Sequence, residues 1–172
     1  MGTAFAVSEN TFITASHVVD GENDIQVVYN GRRYRCRVVF DAERLDVAML
    51  VADGVRDSRP LRLQRELSVG GEVIVYGYPQ RTGWEMAPGV VISTNSSLTY
   101  KYPWNVRQVG ESTSQVRAGY SGGPVVDRKT NAVVGVLTNA NYRRSAFKMF
   151  SRNGYAMFTK VESIYPQAHR RQ

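Results

Sequence analysis

Short runs of β-branched and aromatic residues recur along this 172-residue chain, and turn residues separate one run from the next. The run DIQVVY is followed by Asn30-Gly31, the strongest two-residue signal for a β-hairpin, and then by RRYRCRVVF. The other runs are TAFAV, TFITA, DVAMLVA, EVIVYGY, GVVIST, SLTYKY, PVVD, AVVGVLTN and YAMFTKV. Only the stretch from about Val161 to His169 has a helical pattern. The pattern therefore predicts an all-β protein with one short C-terminal helix.

The strand-like runs form two sets, and a polar stretch from Asp53 to about Gly71 lies between them. Sets of five or six short strands are typical of antiparallel β-barrels. We therefore expect two packed barrels of six or nearly six strands, at residues 1–62 and 72–172, joined by a linker at residues 63–71. Apolar residues make up 42% of the chain, which is enough for a packed core.

The chain is basic, with a net charge of +7 and arginines clustered at residues 32–37, 56–65 and 143–144. A solvated basic face is the favoured interpretation of these clusters. A nucleic-acid-binding β-barrel is the alternative on charge alone. The chain does not have the interleaved aromatic and basic residues of single-strand binding platforms, so we expect no nucleic-acid partner.

Cysteine content and terminal composition bear on location. Cys36 is the one cysteine, so no internal disulfide forms, and its place in a strand predicts a buried, unreactive thiol. No apolar run reaches the roughly 18–20 residues that span a bilayer. The start MGTAFAVSEN does not have the regions of a secretory signal. Together these features favour the cytoplasm, of a bacterium or of a virus-infected host cell.

The stretch RAGYSGGPVVD sets Ser121 among three glycines and a proline. Glycine and proline are the ordinary residues of turns, so a tight structural turn is one interpretation. The other is a nucleophile on a strained loop whose backbone N–H groups point at an incoming carbonyl. The serine alone does not decide between them.

The histidines and acids of the chain decide it. His17 follows an apolar strand in FITASHVVDG, whereas His169 lies in a basic tail and is expected to be solvated. Asp46 precedes the apolar run VAMLVA, where burial of a carboxylate is costly unless a group pairs with it. An imidazole Nδ1–H would supply that pair, and the order His, Asp, Ser is a known order of the catalytic triad. Asp20, Asp24 and Asp41 are rival acids in the first half of the chain, and Asp41, which precedes the polar turn AERL, is better explained than Asp46 as a solvated turn residue.

These motifs resemble a family. The stretches TAFAVSENTFITASHVVDG, LDVAMLVA, LSVGGEVIVYGYP, GVVIST and AGYSGGPVVDRKTNAVVGVLTNA are similar to trypsin-like serine proteases, especially the short, disulfide-free HtrA/DegP type. The resemblance runs from about Gly2 to Val161. It implies a chymotrypsin-like fold in which Ser121 is the nucleophile, His17 the general base and Asp46 the residue that orients it. It also implies an oxyanion hole formed by the N–H groups of Gly119 and Ser121, and neither a cofactor nor a metal ion.

Two features depart from the family pattern. Tyr120 stands where an aspartate of pancreatic-type proteases pairs with a newly cleaved N-terminus, so we expect no activation of that kind. Packing or hydrogen bonding of the phenol inside the second barrel would set the loop instead. The chain also begins late, because the family has a strand before the one matched by TAFAV. Either the first barrel has one strand fewer, or a partner or an upstream segment completes it.

The resemblance also implies a substrate pocket. One wall comprises Gln115, Val116, Arg117 and Ala118; the other comprises Thr138, Asn139 and Ala140, with Gly154 and Tyr155 near the base. The backbone of residues 138–140 would pair with the substrate as an added strand. No acid lies in these segments, so we expect a small or medium side chain, apolar or polar, before the cleaved bond. Trp84 and Trp104 either line an outer substrate site or are ordinary partly buried aromatics.

The sequence thus predicts a serine endopeptidase that forms an acyl-enzyme with protein or peptide substrates. Two alternatives keep the same fold. One is a viral-type enzyme that processes a polyprotein, and the other is a protease fold retained as a catalytically silent binding module.

Overall fold

The computed structural model describes residues 1–80, 82–99, 106–142 and 154–168. Within those ranges the chain forms two β-sheets and two short helices. In chain order the elements are β1 Phe5–Ala6, β2 Thr11–Thr14, α1 Ser16–Val19, β3 Gln26–Tyr29, β4 Arg32–Ala42, a 3₁₀ turn Glu43–Leu45, β5 Val47–Ala52, β6 Glu72–Gly77, β7 Glu85–Thr99, β8 Val106–Val116, β9 Pro124–Asp127, β10 Val133–Asn141, β11 Gly154–Lys160 and α2 Val161–Ala168. The all-β prediction with a C-terminal helix is confirmed; the predicted helix end at His169 lies outside the described residues.

The first lobe is a five-stranded antiparallel sheet with the strand order β1-β2-β5-β4-β3. The predicted hairpin joins β3 to β4, and Asn30 and Gly31 both adopt positive φ, at 49° and 75°. Two successive positive φ values are those of the type I′ turn, whose twist matches the twist of the paired strands. The first lobe is thus an open, curled sheet with one strand fewer than a six-stranded barrel.

The second lobe is a closed barrel with the strand order β10-β11-β8-β7-β6-β9. The runs GVVIST and SLTYKY, which were read as separate strands, contribute to the single 15-residue strand β7, although residues 100–102 lie outside the described ranges. Register shifts between Val91, Ser93 and Ser96 bend this strand around the barrel. Strand β8 is not among the predicted strands, because its residues VRQVGESTSQV are mostly polar.

In the part of the chain that the structure describes, three apolar clusters form the core. One fills the barrel and includes Val75, Val125 and Phe158, and a second lies under the first sheet and includes Phe12 and Leu50. The third joins the lobes by packing first-sheet residues on barrel and helix residues: Phe5, Ile13 and Val47 with Val126, Val133, Val136, Val161 and Ile164. This shared cluster fixes the two lobes against each other, so groups at their junction have a defined geometry.

The connection between the lobes runs through residues 53–71, which include the predicted linker 63–71. Leu61 N–H donates to the carbonyl of Ala6, and Leu63 forms an isolated bridge with Val133 of β10. The connecting segment is therefore bonded to both lobes. Neither helix in the described ranges is long and apolar enough to cross a membrane.

Candidate active site

His17 and Asp46 lie close together, at the ends of two neighbouring strands of the first sheet, because of the register of those strands. Strands β2 and β5 are antiparallel, and Thr14 at the end of β2 is opposite Ala48 near the start of β5. His17 follows β2 in the short helix α1, and Asp46 directly precedes β5. Asp46 adopts the left-handed conformation, with φ at 56°, which aspartate tolerates better than most residues.

The Asp46 carboxylate accepts two hydrogen bonds from His17. Its Oδ2 is 2.7 Å from the ring Nδ1, and its Oδ1 is 2.9 Å from the backbone nitrogen. The Asp46 side chain is 1% exposed, whereas the His17 side chain is 31% exposed. A buried acceptor at Nδ1 selects the tautomer that carries its proton there, which leaves Nε2 as the basic nitrogen.

A second charged group reaches the same carboxylate from the barrel. Nη2 of Arg107, on β8, lies 3.6 Å from Asp46 Oδ2, and the Arg107 side chain is 5% exposed. The guanidinium compensates part of the cost of burying a carboxylate. Arg107 gives no signal in the sequence, because it belongs to none of the motifs and lies in a strand whose residues are mostly polar.

The rival acids lie elsewhere. Asp41 accepts a hydrogen bond from the hydroxyl of Ser16, at 2.6 Å, rather than from His17. Asp24 pairs with Arg35 at 3.5 Å, and Asp20 is exposed at the end of α1. None of the three takes the place of Asp46 at the imidazole.

Ser121 lies on the loop from residue 117 to 123, between β8 and β9. Strand β10 holds the end of this loop: Gly122 N–H donates to the carbonyl of Leu137 at 2.7 Å, and Leu137 N–H donates to that of Gly123 at 2.9 Å. Within the described residues the Ser121 hydroxyl makes no hydrogen bond to the imidazole, which is common where a substrate is absent.

Thr3, in the first-lobe segment before β1, ties the same loop to the first lobe by two hydrogen bonds. Its N–H donates to the carbonyl of Ser121 at 2.8 Å, and its hydroxyl donates to the carbonyl of Gly119 at 2.7 Å. The same hydroxyl accepts from the N–H of Tyr78 at 2.9 Å. Thr3 is 3% exposed. A buried threonine gives no signal of this kind in a single sequence, so Thr3 was not singled out.

The loop leaves no space between Ser121 and the chain next to His17. A Cβ added to Gly2 would lie 2.6 Å from the carbonyl oxygen of Ser121 and 2.7 Å from Cγ2 of Val18. A Cβ added to Gly122 would lie 2.8 Å from the nitrogen of Ala15. The serine loop thus packs directly on the segment that carries the histidine.

Residues 117–120 form a type II turn. Tyr120 N–H donates to the carbonyl of Arg117 at 3.2 Å, and Gly119, the third residue of the turn, has φ at 99°. In this turn the Ala118–Gly119 peptide is rotated by roughly 180° relative to a type I turn. The orientation of the Gly119 N–H therefore depends on the positive φ that glycine allows.

The N–H groups of Gly119 and Ser121, on either side of Tyr120, are available as donors. Within the described residues, the N–H groups of Gly119 and Ser121 have no acceptor, like those of Arg117 and Ala118 before them, whereas those of Tyr120, Gly122 and Gly123 are hydrogen-bonded. Unpaired backbone donors are costly in a folded protein unless solvent or a ligand satisfies them. The loop can therefore offer two donors to an oxygen anion bound next to the Ser121 hydroxyl.

The segments predicted to line the substrate pocket converge. Gly154 pairs with Val116, and a Cβ added to Gly154 would lie 3.1 Å from Cβ of Ala140. The side chain of Val116 itself packs in the barrel core. Gln115 and Ala118 are exposed, Arg117 is half-buried, and Gln115 is paired with Tyr155.

The second wall begins at an irregularity of β10. A register shift between Leu137 and Asn139 takes Thr138 out of the pairing with β11. Thr138 is buried and its hydroxyl donates to the carbonyl of Met157 at 3.4 Å, while Asn139 and Ala140 are half-buried. Such a bulge re-aims backbone groups at the rim of a barrel.

Exposed aromatics lie near the loop at residues 117–123. Trp84 is 66% exposed and meets Tyr78 edge to face, with ring centroids 5.3 Å apart. A Cβ added to Gly119 would lie 2.8 Å from Cα of Pro79, the residue after Tyr78. Trp104, the other tryptophan considered for an outer substrate site, lies outside the described residues.

Cys36 is 8% exposed, under the first sheet. Burial is the main cause that raises the pKa of its thiol; a backbone hydrogen bond from Val27 opposes the rise, and the charge of Asp53 adds to it. A raised pKa reduces the thiolate fraction, which is the reactive form.

The closed barrel packed against a curled sheet is the fold of trypsin-like serine proteases. Residues 2–136 match the family model described as a trypsin-like peptidase domain, and the chain belongs to that family. Within the family its relatives include proteins of the HtrA/DegP type.

Two curated relatives and one solved structure illustrate the relationship. Serine protease Rv3671c of Mycobacterium tuberculosis is 29% identical over 143 residues, which cover 81% of this chain and 36% of that protein. A probable periplasmic serine endoprotease, DegP-like, of Buchnera aphidicola is 29% identical over 136 residues, which cover 76% of this chain and 28% of that protein. The HtrA-type protease AlgW, solved with a tripeptide, superposes with a TM-score of 0.79 at 19% identity, over 98% of this chain and 54% of that one. The chain thus spans about a third of the length of these curated relatives.

Proposed function

We propose that this chain is an active serine endopeptidase that uses Ser121, His17 and Asp46 as its catalytic triad. The observation that carries the proposal is the pair of acceptor-free N–H groups at Gly119 and Ser121, on a loop packed against the histidine segment. A structural turn has no need of two unsatisfied donors beside a hydroxyl. An oxyanion hole requires them.

In the first half of the reaction, the Ser121 hydroxyl attacks the carbonyl carbon of the scissile amide. His17 Nε2 accepts the hydroxyl proton, and Asp46 stabilises the resulting imidazolium through Nδ1. The carbonyl oxygen becomes an anion and accepts hydrogen bonds from the two N–H groups. The imidazolium then gives its proton to the leaving amine, which departs and leaves Ser121 as an ester.

In the second half, water attacks the ester carbonyl while His17 again accepts a proton. The second tetrahedral anion collapses, the acid product leaves, and the Ser121 oxygen regains its proton from the imidazolium. Apart from the substrate and water, the groups that take part in these steps are side chains and backbone N–H groups of this chain.

For substrate binding, we infer that the backbone of residues 138–140 pairs with an extended polypeptide. The register shift that takes Thr138 out of the β10–β11 pairing supports this, because it frees strand backbone at the barrel rim. The pocket is bounded by Gln115, Val116, Arg117 and Ala118 on one side and by Thr138, Asn139, Ala140 and Gly154 on the other. Its walls carry no carboxylate, which disfavours a requirement for arginine or lysine before the cleaved bond.

Reaction with a fluorophosphonate probe tests the proposal. The probe should attach to Ser121 in the wild-type protein, and peptide mapping by mass spectrometry should find the adduct there. Ser121→Ala should abolish both labelling and casein hydrolysis and leave the fold intact, whereas Ser58→Ala, which removes a hydroxyl bound to the carbonyls of Ser8 and Glu9, should leave both unchanged. A folded wild-type protein that is neither labelled nor active would instead support a silent binding module.

Substrate selectivity would distinguish two possible biological roles, polyprotein processing and general protein degradation. A cleavage-site profile with strict preference at several positions would favour polyprotein processing, and a loose profile would favour general degradation. The predicted cytoplasmic location stays a prediction, and one relative reported above is named periplasmic.

A further inference from the structure

The carboxylate of Glu85, at the start of β7, binds two residues of the loop at residues 117–123, which we call the oxyanion loop. Oε2 lies 2.9 Å from the hydroxyl of Tyr120 and 3.3 Å from Nε of Arg117. Oε1 accepts from Nη2 of Arg117 and, at 2.5 Å, from the hydroxyl of Thr82. One carboxylate therefore receives donors from the first and the last residue of the type II turn.

We propose that Glu85 is a positioning residue that holds this turn in its type II form and so keeps the Gly119 N–H available to the substrate oxyanion. The inference rests on the proposed function above and names what sets its oxyanion hole. Glu85 itself touches no reacting atom. It acts through Arg117 and Tyr120, on either side of the Ala118–Gly119 peptide.

The ring of Tyr120 gives this arrangement a rigid base. Tyr120 is 3% exposed, and a Cβ added to Gly77 would lie 2.4 Å from Cγ of the ring. Gly77 is the strand partner of Glu85 in the β6–β7 ladder. Gly77 therefore makes room for the Tyr120 ring, and its partner Glu85 accepts the hydrogen bond from the Tyr120 hydroxyl.

The protonation states suit these contacts. Burial, together with the hydrogen bond to Glu85 and its charge, raises the pKa of Tyr120, so the phenol stays protonated and donates. Hydrogen bonds from Arg117, and then from Thr82, lower the pKa of Glu85 to about 2, so the carboxylate stays charged and accepts.

An ordinary surface ion pair would not hold the turn at residues 117–120 in one conformation. Arg117 and Glu85 are 33% and 26% exposed, and exposed pairs contribute little by themselves. Here the geometry differs in two respects: the arginine binds both carboxylate oxygens, and a buried phenol donates to one of them. Bidentate contacts restrict orientation as well as distance. Loss of the carboxylate should therefore change the loop conformation more than the overall stability.

Glu85→Gln tests the proposal, because it removes the charge and nearly keeps the shape. The matched control is Glu72→Gln, which removes the partner of Arg128 at the other end of β6, where the two side chains are 67% and 60% exposed. For hydrolysis of a peptide ester, Glu85→Gln should lower kcat by about 10- to 100-fold, a partial loss of what one oxyanion donor contributes. KM should stay nearly constant, and Glu72→Gln should change neither constant.

The amide signal of Gly119 gives a readout that needs no activity. In ¹⁵N-labelled Ser121→Ala protein, adding Glu85→Gln should shift the Gly119 amide signal and speed its hydrogen exchange, and adding Glu72→Gln should not. Tyr120→Phe, which removes one hydroxyl, should give a smaller shift in the same direction and serves if Glu85→Gln fails to fold. An unchanged Gly119 signal in the folded Glu85 variant would overturn the proposal. Failure of fluorophosphonate to label the wild-type protein would instead overturn the proposed function and leave this comparison valid.

Discussion

Asp46 holds His17 at two points, the ring Nδ1 at 2.7 Å and the backbone nitrogen at 2.9 Å. The carboxylate thus fixes the imidazole tautomer and the start of the helix that carries it. An asparagine can accept one of these bonds through its carbonyl oxygen, but its amide group faces the other donor with hydrogens of its own.

Asp46→Asn is therefore expected to lower kcat by roughly 1,000- to 10,000-fold, because the imidazole is left in the wrong tautomer. Asparagine tolerates the left-handed backbone at this position, so the fold should persist, although Arg107 loses an ionic partner. Steady-state kinetics on a peptide ester measure the effect. Asp41→Asn, which alters the acid bound to Ser16, is the control and should retain activity. Near-wild-type kcat in the Asp46 variant would refute the assigned role.

Gly122→Ala should destabilise the protein by about 3 kcal/mol or more, because it adds both backbone strain and a steric conflict. Gly122 has φ at 88°, and the added Cβ would lie 2.2 Å from the carbonyl oxygen of Thr3 and 2.3 Å from the hydroxyl of Thr14. Gly70 has φ at 87° with no atom within 4 Å, so Gly70→Ala carries the strain alone and should cost about 1 kcal/mol. Urea unfolding of the two variants measures the difference. Equal losses would show that the loop does not pack on the first lobe as described.

Thr3→Val tests the contact between the first lobe and the loop at residues 117–123. Valine keeps the shape of threonine but removes the donor to Gly119 and the acceptor for Tyr78, which leaves two backbone groups unpaired. We expect a stability loss of about 2 to 4 kcal/mol and a lower kcat. Thr3→Ser retains the hydroxyl and should recover most of both. A serine variant as impaired as the valine variant would assign the effect to packing of the methyl group instead.

Local sequence signals predicted the parts of the fold that are locally encoded. Asn30-Gly31 predicted a hairpin because few residue pairs accept two positive φ values, and the apolar run after Asp46 predicted a buried strand. Strand β8 was not predicted because most of its buried side chains are polar. Glu111 is 1% exposed and accepts hydrogen bonds from Ser96 and Asn141, which are distant in sequence. Only tertiary contacts make such a strand possible.

The same distinction applies to the candidate site. His17, Asp46 and Ser121 were found because their neighbouring residues form recognisable motifs. Thr3 and Glu85 were not, since their roles come from contacts with residues 116 and 35 positions away, at Gly119 and Tyr120. The sequence did indicate that a residue other than an N-terminal amine must set the loop, because Tyr120 cannot form that ion pair. It could not indicate which carboxylate would meet the phenol.

The low pKa of Glu85, about 2, predicts how its contribution to stability depends on pH. The ordinary pKa of glutamate is about 4.3, so folding lowers it, and the unfolded state binds more protons between these values. The stabilisation by Glu85 is therefore fully present above about pH 4.3 and is lost as the pH falls toward 2. Among the described residues, the groups that face this carboxylate are Arg117, Tyr120 and Thr82.

The difference in unfolding free energy between the wild type and Glu85→Gln measures this contribution, because all other titrating groups are common to both proteins. From urea unfolding at a series of pH values, the difference should be constant from about pH 8 to pH 5 and should decrease below about pH 4.3. Glu72→Gln, whose partner is an exposed arginine, should give a small difference throughout. A Glu85 difference that already declines between pH 7 and pH 5 would contradict the lowered pKa, and with it the view that this carboxylate stays charged while it holds the oxyanion loop.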